Sequence, residues 1–388
     1  MTDQQPGGPP MQAWRRAIHR HPELGFDELR TAALVADLLE SFGLQVHRNV
    51  GQTGVVGVLK RGTGDKAIGL RADMDALPIQ EGNDFDYRSV HDGVFHGCGH
   101  DGHTAMLLGA AQALAQTPDL DGTVYFIFQP SEEDGRGALA MIADGLLQRF
   151  PMQAVYGLHN MPGIPAGHFS VRKGAIMTSE DIFEIVIHGR GGHASMPERA
   201  VDPVVVGAEV VLALQTIVSR NIGPMDWAVV SVTEFITDGA RNIIPSTVTI
   251  KGDCRTLSEA TQVTIAKRMN EIVAGICASH GATGTVLYQN DFIATINSDQ
   301  ETDYAVAAAQ AVAGHSGVTE DCPTCGASED FAQMLKRLPG CYMLLGNGSE
   351  GTCATALHNP HYELNEDILA LGCAYWQTLV TQQLSVIR

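Results

Sequence analysis

The sequence predicts an α/β protein: a domain built on a mostly parallel sheet, interrupted by an inserted ferredoxin-like α+β domain. Three observations carry that prediction. Short apolar, β-branched runs alternate with helical patterns at both ends of the 388-residue chain. The middle of the chain changes to longer alternating strands in the order β-α-β-β-α-β, the split βαβ arrangement. The length, at roughly 150 residues per domain, calls for two or three domains. The boundaries that follow are 1–177 and 291–388 for the two parts of the parallel-sheet domain, and 178–290 for the insertion.

Taken in order, residues 11–45 carry helical spacing that Pro22 and Gly25 break into two helices. Gly54–Leu59 and Ala67–Ala72 are short apolar strands, and the second runs into the acidic turn Asp73-Met74-Asp75. Thr104–Gln116 is an Ala/Leu-rich helix, and Thr123–Phe128 is β-branched, aromatic and short, as a buried strand is. Gly137–Leu147 is helical, and Ala154–Leu158 is another strand. In the insertion, Asp181–His188 alternates like a half-exposed strand, and Val201–Ser219 is a helix. Trp227–Ile236 and Ile243–Arg255 are alternating strands, followed by the Ser258–His280 helix and the Thr283–Tyr288 strand. The first pattern then resumes, with helices near Thr302–Ala313 and Ser328–Lys336, a strand at Tyr342–Leu345 and a last helix from Asn365.

Composition excludes several functions. With 25 basic against 44 acidic residues the net charge is −19, and that field repels a phosphate backbone, so no nucleic-acid partner is expected. The opening MTDQQPGGPP has neither a basic nor an apolar stretch, and no signal peptide is expected. No run of about 18 consecutive apolar residues occurs, so no membrane-spanning helix is expected. The eight cysteines show no small-domain disulfide framework, which suits a reducing cytoplasm.

The chemistry gathers in loops of the α/β pattern. In Cys98-Gly99-His100-Asp101-Gly102-His103 a thiolate and an imidazole two residues apart can close on one ion, and zinc and its neighbours accept that S/N pair. Glu132-Glu133 follows the strand Thr123–Phe128, where α/β sheets place ligands, and two adjacent carboxylates repel unless a cation or proton relieves them. His159 ends a strand and His358 precedes a loop; singly, each reads as a structural histidine. As a set, Cys98, His100, Glu133, His159 and His358 are too many for one tetrahedral structural zinc and suit two ions with open positions.

At these residues the sequence resembles the metal-dependent amidohydrolases of the aminoacylase–carboxypeptidase superfamily, in the branch of hippurate hydrolase, N-acyl-L-amino-acid amidohydrolases and indole-acetyl-amino-acid hydrolases. The matching stretches are His19-Arg20-His21-Pro22-Glu23, RADMDALP at 71–78, CGHDGHTAM at 98–106, QPSEE at 129–133 and Gly157-Leu158-His159. They continue with GRGGHASMP at 189–197, RNIIPSTV at 241–248, GASEDF at 326–331 and LHNPHYELNED at 357–367. Ser131 stands where relatives often have alanine, and Cys322/Cys325 form a CxxC that reads as structural or incidental.

The resemblance implies a zinc-exopeptidase-like catalytic domain with a lid and dimerisation insertion. It implies that Cys98, His100, Glu133, His159 and His358 hold two divalent ions, zinc or manganese, with cobalt or nickel as alternatives. Glu132 would be the general acid/base, with Asp75 and Asp101 orienting the site. His193 would reach a neighbouring subunit's site in a homodimer, and Asn242 and Arg255 would contact the substrate carboxylate or the developing oxyanion. The implied substrate is a small N-acyl amino acid; a dipeptidase or carboxypeptidase with the same metal site is the competing reading.

Overall fold

The computed structural model describes residues 10–385. The chain forms two compact units: one from the residues up to Ile176, Ile296–Pro323 and Asp330 onward, the other from Met177–Thr295 and Thr324–Glu329. The expected insertion at 178–290 falls within the second unit.

The first unit is built on an eight-stranded sheet in the spatial order Gln45–Val50, Gly54–Arg61, Gly122–Gln129, Ala67–Asp73, Ala154–Pro162, Gly340–Gly348, Phe169–Ser170, Val318–Thr319. Its central four strands, from Gly122–Gln129 to Gly340–Gly348, are parallel, and the Gly54–Arg61 and Gln45–Val50 edge is antiparallel. The central strands read as continuous apolar runs because both faces are covered: every residue of Ala67–Asp73, Gly122–Gln129 and Gly340–Gly348 is buried. The helices His100–Ala115 and Leu369–Leu384 pack against each other and onto this sheet, and Met11–His19 packs on His100–Ala115.

Where the elements differ from expectation, the reasons are local. The helix expected from Thr104 begins at His100, because left-handed Gly99, at φ +94°, turns the chain directly into it. The helix expected over Gly137–Leu147 breaks into Gly137–Ala143 and Leu146–Arg149 at left-handed Gly145. The Ile243–Arg255 strand is two strands, Ile243–Ile244 and Thr247–Thr256, parted at Pro245, which has no N–H for a ladder. Only Ala332–Leu335 of the expected Ser328–Lys336 helix is helical. The polar edge strand Gln45–Val50 lacks the apolar alternation that would have marked it.

The second unit has the sheet order Ala228–Thr237, Thr247–Thr256, Glu180–His188, Thr283–Phe292, all antiparallel. With the helices Pro203–Thr216 and Glu259–Ser279 between strands, this is the ferredoxin-like order. Its core joins Ile185, Ile187, Val248 and Ile250 of the sheet to Val206, Val210 and Leu214 of the first helix and Ile265 and Met269 of the second. Pro203–Asn221, the first helix and its π-helical last turn, is a 19-residue stretch long and apolar enough by length and composition to cross a membrane. Counting unbroken apolar runs overlooks it, because Glu209 and Gln215 interrupt the run. Here Val206, Val210, Leu214 and Ile217 face the unit's own core.

Ile185→Ala should lower the stability of this unit by about 2–5 kcal/mol in equilibrium urea unfolding, since a buried cavity is left. Leu212→Ala, at a side chain 73% exposed on the opposite face of the first helix, should change it by less than about 0.5 kcal/mol.

Candidate metal centre

Three turns of the first unit converge at the C-terminal ends of the parallel strands, where such sheets place their ligands. Strand Ala67–Asp73 leads to Asp75, and Gly122–Gln129 leads to Glu132 and Glu133. Strand Ala154–Pro162 carries His159 within it, because it runs four residues beyond the expected Leu158. Cys98 and His100 sit on either side of Gly99, at the N-terminus of the His100–Ala115 helix. Only glycine fits there: a Cβ on Gly99 would lie 2.3 Å from Asn160 Nδ2 and 2.5 Å from Tyr362 Oη. Asn160 Nδ2 donates to the Cys98 carbonyl at 2.7 Å and fixes that turn.

The five candidate ligands come together. Donor atoms of Cys98, His100 and His159 lie within 4.8 Å of one another, as do those of Cys98, Glu133 and His358, and those of His100, Glu132 and Glu133. These overlapping groups share Cys98, His100 and Glu133, as a pair of neighbouring ions would require. Cys98 Sγ is 3.4 Å from His159 Nε2, His100 Nε2 is 3.8 Å from Glu133 Oε1, and His358 Nε2 is 3.4 Å from Glu133 Oε2. His358 is exposed at the rim and left-handed, at φ +62°, with its N–H on the Gly97 carbonyl.

Hydrogen bonds decide which ring nitrogens can take a metal. The Asp75 carbonyl, 2.9 Å from His100 Nδ1, accepts that N–H, so Nε2 is the nitrogen left to a metal. Burial opposes the charge of the His100 ring, but Asp73 and Cys98 hold its pKa well above the usual imidazole range, so a metal at Nε2 displaces a proton. His159 Nδ1 donates to the Asn160 carbonyl at 2.5 Å and likewise leaves Nε2 to a metal. His103 is different: Nδ1 meets Asp73 Oδ1 at 2.6 Å, while Nε2 accepts the Asn160 N–H at 3.0 Å. Both of its nitrogens are spent, so the second histidine of CGHDGH is no ligand. The donor set fits a metal on one further observation: His100 Nε2 and Glu133 Oε1 are buried, face one another and have no hydrogen-bond partner among the described residues. Buried polar atoms are rarely left this way without an ion or water.

Electrostatics agree. Burial pushes the Cys98 thiol well up, with Glu133 adding to it, so its ionisation needs a cation beside it. Burial holds His159 well below the usual imidazole range, in the neutral form that ligates. Burial also pushes Glu133 up to about 7, against the pull of His100 and helped by Asp75 and Asp73. Burial opposes the charge of Asp73, but His100, His103 and Arg71 together hold it well below the usual carboxylate range.

Several supporting residues carry no signal that spacing alone could show. Arg71 pairs with Asp73 at 2.7 Å and Asp330 at 3.2 Å. Asp330 also accepts from Gln129 Nε2 at 2.7 Å and from the Ala138 N–H at 2.8 Å, and its own N–H reaches Glu132 Oε1 at 3.3 Å. Asp101 accepts Arg15 Nε at 2.7 Å and meets His19 Nδ1 at 2.8 Å, all three side chains being buried. Glu133 N–H donates to Asp75 Oδ2 at 3.0 Å.

His193, Asn242 and Arg255 belong to the second unit. Gly192–His193 pairs antiparallel with Ile243–Ile244, the Ala194 N–H donates to the Asn242 carbonyl at 3.1 Å, and His193 and Asn242 line one hollow of about 420 Å³. His193 Nδ1 accepts the Ser195 N–H at 3.2 Å, so the neutral ring carries its proton on Nε2. Arg255 divides its fork between Glu180, at 2.9 Å, and Asp253, at 3.0 Å. All eight cysteines, Cys322 and Cys325 among them, lie in the described residues and none is in a disulfide.

The chain is 42% identical over 370 residues to hippurate hydrolase of Campylobacter jejuni, covering 95% of each chain. It is 38% identical to thermostable carboxypeptidase 1 of Saccharolobus solfataricus, covering 92% of this chain and 91% of that one. Among solved structures it matches Bacillus subtilis YxeP, a dinuclear metal-binding peptidase of the M20 family, with a TM-score of 0.83, 31% identity and coverage of 96% and 97%. Residues 69–382 match peptidase family M20/M25/M40, and with relatives this similar along nearly its whole length, the chain belongs to that family.

Proposed function

We propose that this protein is a binuclear metal-dependent hydrolase that cleaves the amide bond of N-acyl-L-amino acids, whether hippurate-like, N-acetyl or indoleacetyl conjugates. The products are a carboxylic acid and a free amino acid. One observation carries the reading: the Glu132 carboxylate lies buried beside a converging set of metal donors, oriented by the Asp330 N–H. A protein that only stored metal would have no use for it. The likeness to a hippurate hydrolase along 95% of the chain supports the acyl-amino-acid class.

Cys98, His100, Glu133, His159 and His358 would hold two divalent ions, zinc or manganese, with cobalt or nickel as alternatives. Bound there, the ions would supply Lewis acidity that polarises the amide carbonyl and acidifies a water. Glu132 takes the proton from the attacking water and later gives it to the amine nitrogen as the C–N bond breaks, so one proton is moved and none is lost. His193, protonated on Nε2, is a donor for the carbonyl oxygen as it gains charge. Asn242 and Arg255 would contact the substrate carboxylate or the developing oxyanion; Arg255, with Nε and one Nη already engaged, would use the other Nη. We assign a homodimer in which His193 of one subunit serves the other's site, and a cytoplasmic setting, in keeping with eight cysteines held as thiols rather than disulfides.

The carboxypeptidase likeness favours one second reading, a dipeptidase or carboxypeptidase using the same centre. A panel of benzoyl-, acetyl- and indoleacetyl-amino acids against dipeptides separates the two. The acylated amino acids should turn over with the higher kcat/KM, and dialysis against a chelator should abolish both activities. Preference for dipeptides would transfer the assignment to the second reading.

The adjacent glutamates should separate by role. Glu132→Gln should keep its metal content while kcat falls by roughly 10²–10⁴-fold. Glu133→Gln should lose metal as well, measured by elemental analysis after gel filtration. Equal metal retention in both would reverse or void the assignment.

Subunit sharing predicts complementation. His193→Ala and Glu132→Gln proteins, each inactive, should regain part of the activity when their subunits exchange, because one site of each heterodimer pairs native His193 with native Glu132. Heterodimers verified by mass spectrometry that stay inactive would confine His193 to its own subunit or to no role.

A further inference from the structure

The segment His19–Glu28 contributes no candidate ligand, yet it lies against two of the turns that build the centre. The Glu23 carbonyl accepts the Ala76 N–H at 2.8 Å, at the exit of the turn carrying Asp75. The Glu23 carboxylate accepts the N–H groups of Arg30 and Thr31 at 2.9 and 2.8 Å, which ties the segment to the start of helix Leu29–Ser41. Glu28 then reaches the other turn. Its Oε1 accepts the Ser131 N–H at 2.8 Å, and its Oε2 accepts the Thr53 hydroxyl at 2.5 Å. All three residues are buried.

What Glu28 holds is unusual. Ser131 is left-handed, at φ +51°, a conformation that residues with a side chain keep only when their surroundings impose it. It immediately precedes Glu132 and Glu133, so its backbone angles set the direction in which both carboxylates leave the strand. Ser131 Oγ donates onward to Asp134 at 2.7 Å, and a Cβ on Gly25 would lie 2.5 Å from Ser131 Oγ, so the segment is fitted closely to this turn.

We propose that Glu28 is a positioning residue: bridging the Thr53 hydroxyl and the Ser131 N–H, it holds the left-handed turn that aims Glu132 and Glu133 into the metal centre. The proposal rests on the reading of Glu132 as acid/base and Glu133 as ligand. Reach matters more than charge here. Burial, with the Asp75 charge adding to it, raises the Glu28 carboxyl to about 7, so the neutral form is close at hand. A glutamine has the same length, accepts the Ser131 N–H and donates to Thr53 Oγ. An aspartate keeps the charge but falls one methylene short of spanning both partners.

The test compares Glu28→Gln with Glu28→Asp in the full chain. Zinc affinity is measured by competition with a chromophoric chelator, using the metal alone, and kcat and KM for benzoylglycine are measured at saturating zinc. Glu28→Asp should bind zinc about tenfold or more weakly, through Glu133. Its kcat should fall by on the order of 10–100-fold with KM within about threefold, through Glu132. Glu28→Gln should stay within about threefold of wild type on both measures. Should Glu28→Asp not fold, Thr53→Val, which removes only the anchoring hydroxyl, carries the same readouts in the same direction. Wild-type values for Glu28→Asp on both measures, or a loss in Glu28→Gln as large as in Glu28→Asp, would overturn the proposal. A wild-type protein that hydrolyses no acylated amino acid would instead sink the acyl-amino-acid reading, and zinc affinity would still decide the role of Glu28.

Discussion

Negative charge buried at the C-terminal edge of the parallel strands is the constraint on which the first unit depends. Asp73, Asp75, Asp101, Glu132 and Asp330 are all nearly inaccessible to solvent. An isolated carboxylate at such depth costs several kcal/mol, so each must be answered by a cation or by hydrogen-bond donors. Arg71 answers Asp73 and Asp330, and Arg15 with His19 answers Asp101. The Glu133 N–H and the His100 ring answer Asp75. Among the described residues no Arg or Lys ion pair reaches the place where Cys98, Glu133, His100 and His159 gather. That is where a chain of net charge −19 makes room for added positive charge.

Much of the fold was legible in the sequence because its signals are periodic. Uniformly apolar runs such as Thr123–Phe128 can hardly be anything but covered strands, and the changed strand pattern after residue 178 announced a different architecture. Failures fell where periodicity says nothing. Gln45–Val50 is a polar edge strand whose place depends on pairing with Gly54–Arg61. The start of the helix at His100 depends on Gly99 adopting a left-handed conformation, which is a packing matter.

The candidate site was legible as a set of residue types in family order, and its roles came from the resemblance rather than from spacing. His100 and His103 are both histidines of one short motif, and nothing in their spacing says which nitrogen is spent. The difference lies in Asp75 and Asn160, which are distant in sequence and touch the two rings differently. Asp330 and Glu28 are similar cases, since a carboxylate that organises a turn looks in sequence like any surface acid. Arg255 is a fourth: the sequence shows a guanidinium fork but not that Glu180 and Asp253 already occupy two of its nitrogens.

The first unit is assembled from chain on both sides of the second, and this has a consequence for biosynthesis. Strand Ala154–Pro162 completes its parallel pairing only with Gly340–Gly348, and His358 lies beyond that strand. A ribosome adding about 5–20 residues per second needs roughly 10–40 s to travel from His159 to His358. For that interval the nascent chain holds Cys98, His100, Glu133 and His159 without the residue that closes the group at its rim. The second unit, whose strands all come from Glu180–Phe292, has meanwhile everything its sheet requires. Maturation therefore has a fixed order: the insertion can fold during translation, whereas the candidate metal centre is assembled only near the end of synthesis.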